Sequence, residues 1–531
     1  MHEPVWWQDG IIYQVYPRSF QDSDGDGIGD LAGIARRLDA LVALGVDALW
    51  ISPFFPSPMK DFGYDIADYC GVDPMFGSLA DFDLLAREAR ARGLRLILDF
   101  VPNHTSDRHP WFLASRSSRD DPKRDWYLWR DPAPDGGPPN NWMSNFGGSA
   151  WTFDASTGQY FEHQFLAAQP DLNWRNPAVR AAMYDVLRFW LARGVDGFRI
   201  DVVYHLIKDE RFRDNPPNPA FEAGDPSWHR VLPLYTADRP EVLEVLAEMR
   251  EVVAAFDAPG REHVLIGELY LPLDRLVAYY GRDAHGVLRG VHMPFNFQLI
   301  HAPWEAAAIA RIVRDYEAAL PRGGWPNWVL GNHDQSRIAS RVGVDQARVA
   351  AMLLLTLRGT PTLYYGDELG MRDVPIPPDE VQDPLEKNEP GKGLGRDPQR
   401  TPMQWDASPH AGFTTGSPWL RESADFERVN VAVQSAEPAS MWSLVQALAR
   451  LRREHAVLRN GAYRELFVGE TLLVYEREGD DGRLVVALNF GAVDVALPPI
   501  VRQRAGRAVL STWMDGGGTA SLRASEGLVL A

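Results

Sequence analysis

Short apolar runs recur along this chain, and most are followed by a stretch whose apolar positions return every three or four residues. The runs are Ile11–Tyr16, Ala48–Pro53, Leu94–Phe100, Gly197–Val203, His263–Leu269, Gly290–Phe295, Trp328–Asp334 and Pro361–Glu368. Strand-length runs alternating with amphipathic helices predict parallel βα units. "LAGIARRLDALVALG" and "LADFDLLAREARARG" read as two such helices, each ending at a glycine suited to a C-cap. Eight units predict a closed (β/α)8 TIM barrel. An open doubly wound sheet fits less well, because no G-x-G-x-x-G loop follows the first run.

Two stretches break the rhythm. Residues from about 103 to 174 are rich in Trp, Pro, Gly and Asn, and read as an irregular subdomain inserted after the third strand. Residues from about 372 to 419 form a second long insertion, after the eighth. Beyond "MWSLVQALARLRREH" the pattern becomes short strands separated by turns such as "GDDG" and "DGGG", as in a small antiparallel β domain. The expected division is barrel 1–102, insertion 103–174, barrel 175–456 and β domain 457–531.

A chain of 531 residues is long enough for several cores. Its net charge of −18 argues against nucleic acid or an anionic membrane as partner. No apolar run is long enough to span a bilayer, and "MHEPVWWQDG" lacks the features of a signal peptide. Cys70 is the single cysteine, so no intrachain disulfide can form and a cytoplasmic protein is expected. Eighteen Trp hint at stacking on sugar faces as much as at large cores.

Four of the eight predicted strands end in a carboxylate with polar company: "DFVPNH" (Asp99, His104), "GFRID" (Arg199, Asp201), "GEL" (Glu268) and "GNHD" (His333, Asp334). Catalytic groups of such barrels gather at strand C-termini. One strand-end carboxylate is often a helix cap, but four at one mouth are not explained that way. Arg199 and Asp201 are two apart on a strand and face the same side, where the guanidinium would keep Asp201 ionised as a nucleophile requires. Glu268 follows "VLIG", and a desolvated Glu retains its proton and serves as an acid. A carboxylate beside a carboxylic acid is the machinery of glycoside hydrolysis. Asp334, His104 and His333 suit the gripping of sugar hydroxyls. A metal hydrolase lacks support, because no H-E-x-x-H or similar spacing occurs.

The stretch "DSDGDGIGD" carries Asp22, Asp24, Asp26 and Asp30 at positions 1, 3, 5 and 9 of an EF-hand-like loop, with Gly27 at 6 and the Ile28 carbonyl at 7. Position 12 is Gly33 instead of the bidentate Glu. Four carboxylates so close repel one another without a cation, so a structural cation is expected.

These motifs, with "QPDLNW" (Gln169–Trp174) and "RTPMQW", resemble the α-amylase family of glycoside hydrolases over nearly the whole chain, specifically its oligo-1,6-glucosidase and α-glucosidase branch. The resemblance implies a barrel, an inserted domain B and a C-terminal β-sandwich. It implies Asp201 as nucleophile, Glu268 as general acid/base and Asp334 as transition-state stabiliser. It places Asp99, His104, Arg199 and His333 around a buried glucose, Tyr64 beneath that ring, and an Asp61–Arg400 ion pair at the pocket's closed end. Phe146, Phe165 and Gln169 would line the entrance. Val202, after the nucleophile, is similar to its counterpart in enzymes favouring α-1,6 bonds, although loops also set specificity. A Ca2+ held by Asp22, Asp24, Asp26, Ile28 and Asp30 is implied too, with Mg2+ fitting the same spacing. The expected activity is retaining, exo-acting hydrolysis of short α-glucosides, α-1,6 or broad, by a monomer. A transglucosylase or isomerase on sucrose, maltose or trehalose is the alternative.

Overall fold

The computed structural model describes residues 5–480 and 482–531. Residues 1–4, part of the N-terminal stretch read above, and Asp481 of the "GDDG" turn lie outside the described residues.

Eight parallel strands close into a barrel: β1 (Ile12–Val15), β2 (Ala48–Ile51), β3 (Arg95–Phe100), β4 (Gly197–Ile200), β5 (Val264–Gly267), β6 (Met293–Asn296), β7 (Asn327–Val329) and β8 (Thr360–Tyr364). Ile12 pairs with Ala48 on one side and Thr362 on the other, which joins β1 to both β2 and β8. The strands read as continuous apolar runs because both faces are buried. Ile12, Trp50, Ile97, Ile266 and Phe295 fill the barrel. Tyr13, Leu49, Leu98, Phe198 and Leu265, alternating with them, pack on the surrounding helices. The helix Leu31–Leu44 starts at Asp30, which accepts the Gly33 N–H, and ends at Gly45 with φ 101°.

Several strands are shorter than the apolar pattern suggests. β4 stops at Ile200 because Val202 turns to φ 35°, and β7 stops at Val329, which leaves "GNHD" as a turn. There Asn332 Oδ1 accepts the Asp334 N–H at 2.9 Å, a local bond that replaces the ladder.

Between β3 and β4 lies a three-stranded antiparallel sheet (Trp129–Arg130, Gln159–Glu162, Trp151–Asp154). The C-terminal unit is a five-stranded antiparallel sheet in the spatial order Ala462–Val468, Leu472–Gly479, Gly482–Asn489, Gly527–Leu530, Ala508–Ser511. One face (Leu473, Tyr475, Val486, Leu488) joins the barrel core. The other (Leu472, Val474, Val485, Ala487) packs on Leu497, Val501 and Leu522. The second layer of the expected sandwich is therefore a two-stranded ladder (Val495–Ala496, Ser521–Leu522) and a short helix (Pro499–Arg504). No helix among the described residues is long and apolar enough to cross a membrane.

The first βα loop is locked to the end of the second insertion. Asp22 N–H donates to the Phe413 carbonyl at 3.0 Å and Trp419 N–H to the Gly27 carbonyl at 3.1 Å. Gly27 has φ 91°, and a Cβ there would lie 1.9 Å from the Ser417 carbonyl oxygen. Gly27→Ala therefore combines a left-handed backbone with a backbone clash. It should cost about 2–4 kcal/mol of stability, read as a lowered thermal midpoint, whereas exposed Gly224, with open space around its Cβ position, should accept Ala within about 0.5 kcal/mol.

Candidate active site

Asp99 on β3 and Arg199 on β4 are register partners, so their side chains stand side by side inside the barrel. Asp201 follows two residues on, and Glu268 directly follows β5, its N–H bound to the Ile200 carbonyl at 3.0 Å. Arg199 thus meets three carboxylates at once. Its Nη1 donates to Asp99 Oδ1 at 2.7 Å and Asp201 Oδ1 at 2.6 Å, and its Nη2 forms an ion pair with Glu268 Oε2 at 2.7 Å. The group is almost wholly buried.

Burial pushes both Asp201 and Glu268 upward; Arg199 opposes this, and repulsion among the neighbouring carboxylates adds to it. Desolvation thus works against the ionised Asp201 expected from its adjacent guanidinium, and Arg199 works for it. Asp201 and Glu268 flank the same guanidinium. Two such carboxyls at one cation hold a proton between them. With the proton on Glu268, the pair presents one nucleophile and one acid.

Val202 sits in the left-handed region (φ 35°, ψ 44°), a costly conformation for a β-branched residue of about 1–3 kcal/mol. Its N–H donates to Glu268 Oε2 at 2.9 Å, and its carbonyl accepts the His205 N–H at 2.9 Å. The strained turn thus ties Glu268 to the residue after Asp201.

A relay fixes the next layer. Gln14 on β1 donates through Nε2 to His333 Nδ1 at 2.8 Å, which leaves the imidazole proton on Nε2. That nitrogen lies 2.7 Å from Tyr64 OH, and the phenol donates to Asp99 Oδ2 at 3.0 Å. Trp50 Nε1 reaches the same oxygen at 3.1 Å. Burial, and then Arg400 and Arg199, keep His333 neutral. It therefore meets Asp334 Oδ2, 3.3 Å away, as an N–H dipole. Burial opposes ionisation of Asp334, but His333, Arg400 and Arg396 hold its carboxyl well below the ordinary range. Arg400 Nη2 is 2.7 Å from Asp334 Oδ1.

The expected Asp61–Arg400 ion pair is not formed. Asp61 Oδ1 pairs with Arg396 Nη2 at 2.7 Å, and Arg396 also holds Asp383 at 2.6 Å. Arg396 stands four residues before Arg400 in "GRDPQR", where its 3.4 Å approach to Asp334 links the two pairs. His104, lowered to about 4 by burial, lies 3.1 Å from Gln169 Nε2, which also donates to Asp61 Oδ2 at 3.1 Å.

Over these groups lies a cavity of about 760 Å³ at the C-terminal ends of the strands. Asp61, Tyr64, His104, Phe146, Phe165, Asp201, Val202, Glu268, His333 and Asp334 line it. Asp99, Arg199, Gln169 and Arg400 stand behind the wall and act through these neighbours. Sequence reasoning missed Arg396 and Asp383, and also Gln14, whose signal was a lone polar residue in a buried strand. It also missed the Lys208–Asp171 ion pair. Asn103 bridges that pair to His104: its Oδ1 accepts from Lys208 at 2.8 Å, and its Nδ2 reaches Asp171 at 2.9 Å and His104 Nδ1 at 3.2 Å.

The acidic loop lies apart from this cavity. Ligand oxygens of Asp22, Asp24 and Asp30 fall within 4.8 Å of one another. Asp26 stands outside that cluster, its Oδ1 instead accepting the Ile28 N–H at 2.8 Å.

The α-amylase catalytic-domain profile ("Alpha amylase, catalytic domain") matches residues 14–461. The chain is 43% identical to an α-glucosidase of Culex pipiens over 496 residues, 92% of this chain and 82% of that protein. It is 40% identical to an oligo-1,6-glucosidase of Heyndrickxia coagulans, covering 91% and 92% of the two chains. Its structure resembles that of an α-glucosyl transfer enzyme, XgtA, with a TM-score of 0.91, 40% identity and full coverage of both chains.

Removing the Arg396 cation strands two buried carboxylates. Arg396→Met should destabilise the protein by about 3–5 kcal/mol at neutral pH. Without the cation Asp61 and Asp383 bind protons more tightly in the folded state than in the unfolded one, so the deficit should shrink as pH falls toward 4. Thermal midpoints of parent and variant across pH 4–8 check both sign and size.

Proposed function

The chain belongs to the α-amylase family of glycoside hydrolases, and from that premise we propose that it is a retaining, exo-acting α-glucosidase of short oligosaccharides. The observation that carries this reading is the shared grip of one guanidinium, Arg199, on both Asp201 at 2.6 Å and Glu268 at 2.7 Å, which holds the two carboxyls as neighbours. Inverting enzymes keep their carboxyls about 6.5–9.5 Å apart to admit a water between them, and retaining ones about 5–5.5 Å.

In this mechanism Asp201 attacks the anomeric carbon while Glu268 gives its proton to the departing glycosidic oxygen. The bond to the aglycone breaks as the Asp201–glucosyl ester forms. Glu268, now ionised, takes a proton from water, whose oxygen displaces Asp201 and releases α-glucose. Asp334 stays ionised at every working pH and holds hydroxyls of the distorted ring. The buried Asp61–Arg396 pair walls one side of the cavity, which supports binding of a single terminal glucose. Val202 at the cavity wall and the oligo-1,6-glucosidase relatives favour α-1,6 or broad linkage use. A transglucosylase or isomerase would use the same residues and differ in how far water is kept from the ester; the glucosyl-transfer neighbour favours this second reading.

Asp201→Asn should fold normally and lose at least about 10³-fold in kcat. In the parent, NMR of the first product should show α-glucose from isomaltose or maltose; β-glucose would overturn retention, and a dominant disaccharide product would select the transferase reading.

The acidic loop fits a hard cation, since Asp22, Asp24 and Asp30 offer only oxygen donors. Asp26 and Asp30 are raised, first by burial and also by neighbouring carboxylates, a repulsion that Ca2+ or Mg2+ would relieve. Saturation at a hundredfold excess over Kd is worth about 2.7 kcal/mol. Ca2+-loaded protein should melt several degrees above EDTA-treated protein, and equal midpoints would remove the cation from the account.

A further inference from the structure

Gln14 is a fully buried polar residue in an otherwise apolar strand, β1. It stands two residues from inward-facing Ile12, so its side chain also points into the barrel. Its Nε2 lies 2.8 Å from His333 Nδ1 and 3.2 Å from Ser52 Oγ, and among the described residues it is the one hydrogen-bond partner of Nδ1. Other groups hold the imidazole plane. Tyr64 stacks on it with ring centroids 5.3 Å apart and planes 3° apart, Tyr16 stacks at 5.8 Å, and Arg400 Nε binds the His333 carbonyl at 2.8 Å. Stacking leaves open which ring nitrogen carries the proton, and two neighbours of Nε2 require it there. Tyr64 OH, 2.7 Å from Nε2, gives its own proton to Asp99 Oδ2 and so must accept. Asp334 Oδ2, 3.3 Å away, is a carboxylate oxygen and can only accept. Nδ1 is then a bare lone pair, and the Gln14 N–H is what meets it.

We propose that Gln14 is a positioning residue for cleavage of the glucosidic bond: its amide N–H holds His333 in the Nε2–H tautomer, which keeps a neutral donor against Asp334 at the cavity wall. This rests on the α-glucosidase reading above and adds to it a residue from the barrel interior. Gln14 does not line the cavity, whereas His333, Tyr64 and Asp334 do, so it acts through the imidazole. With the proton on Nε2, His333 steadies the Asp334 carboxylate without cancelling its charge, and Asp334 stays an acceptor for sugar hydroxyls. With the proton on Nδ1, a lone pair faces Asp334, and the Tyr64 proton is drawn from Asp99 to Nε2. Asp99 then loses one of the donors that fix it beside Arg199. An imidazole in the wrong tautomer costs a serine protease about 10⁴-fold in kcat with its geometry intact, so proton placement alone carries large effects.

The first measurement needs no substrate. 15N-imidazole NMR of the parent at neutral pH, with the His333 signals identified among the 13 histidines by their loss in His333→Gln, should show Nε2 protonated and Nδ1 bare. In Gln14→Met, similar in length and unable to donate, both nitrogens should shift toward an average of the two tautomers. On the disaccharide the parent prefers, Gln14→Met should lower kcat on the order of 10–100-fold with KM within about threefold, the signature of an interaction made in the transition state. Loss of packing alone would do equal damage in any background. In His333→Gln, which has no tautomer to set, adding Gln14→Met should therefore cost less than about threefold. The parent spectrum decides the tautomer even where Gln14→Met folds poorly. A proton on Nδ1 in the parent, or a Gln14→Met loss that is undiminished in the His333→Gln background, overturns the role of Gln14 and leaves the glucosidase reading standing. A parent inactive on every α-glucoside overturns both.

Discussion

One guanidinium organises the catalytic end of this barrel. Arg199 is buried with three carboxylates around it, two more than its single positive charge can neutralise. Burying one charge costs several kcal/mol unless partners surround it, and burying four is tolerable only as a set. The barrel supplies that set through strand register, because Asp99 and Arg199 pair in the β3–β4 ladder and Asp201 follows on the same face. The excess negative charge is the useful part. It obliges one carboxyl to keep a proton, and a site that must break a bond with an acid and a base needs that asymmetry at neutral pH.

A second arginine set stands across the cavity. Arg396 and Arg400 hold Asp61, Asp383 and Asp334, and neutral His333 fills the space between the two groups. Asp334 is ionised because cations face it. Asp201 and Glu268 are pushed upward by desolvation and by neighbouring carboxylate charge. The two sides of one cavity thus carry carboxylates in different protonation states, each set by which arginines reach it.

How much of this was legible in the sequence depends on where each residue sits. Asp99, Arg199, Asp201 and Glu268 lie in or directly after apolar runs, and period-2 alternation alone puts Arg199 and Asp201 on one face. The eight runs and the two insertions announced the barrel and its interruptions. Strand ends were less legible, because Val202 and Asn332 bend the backbone through local hydrogen bonds that apolar periodicity does not encode. Arg396 was missed because the insertion that carries it has no periodic pattern, and its neighbour Arg400, in a more distinctive motif, drew the Asp61 pairing instead. The Lys208–Asp171 pair joins two irregular segments, and nothing in either segment alone marks a partner.

The lock between the first βα loop and the second insertion has a consequence for how the chain assembles. Asp22 and Thr414 touch across a sequence separation of 392 residues, beside the seam where β1 meets β8. Closing so long a loop is paid for in chain entropy before any contact repays it, so this seam belongs to the late steps of assembly. Interactions made late govern how fast a protein comes apart more than how fast it forms. The acidic loop, remote from the chemistry, is therefore placed to set the lifetime of the closed barrel.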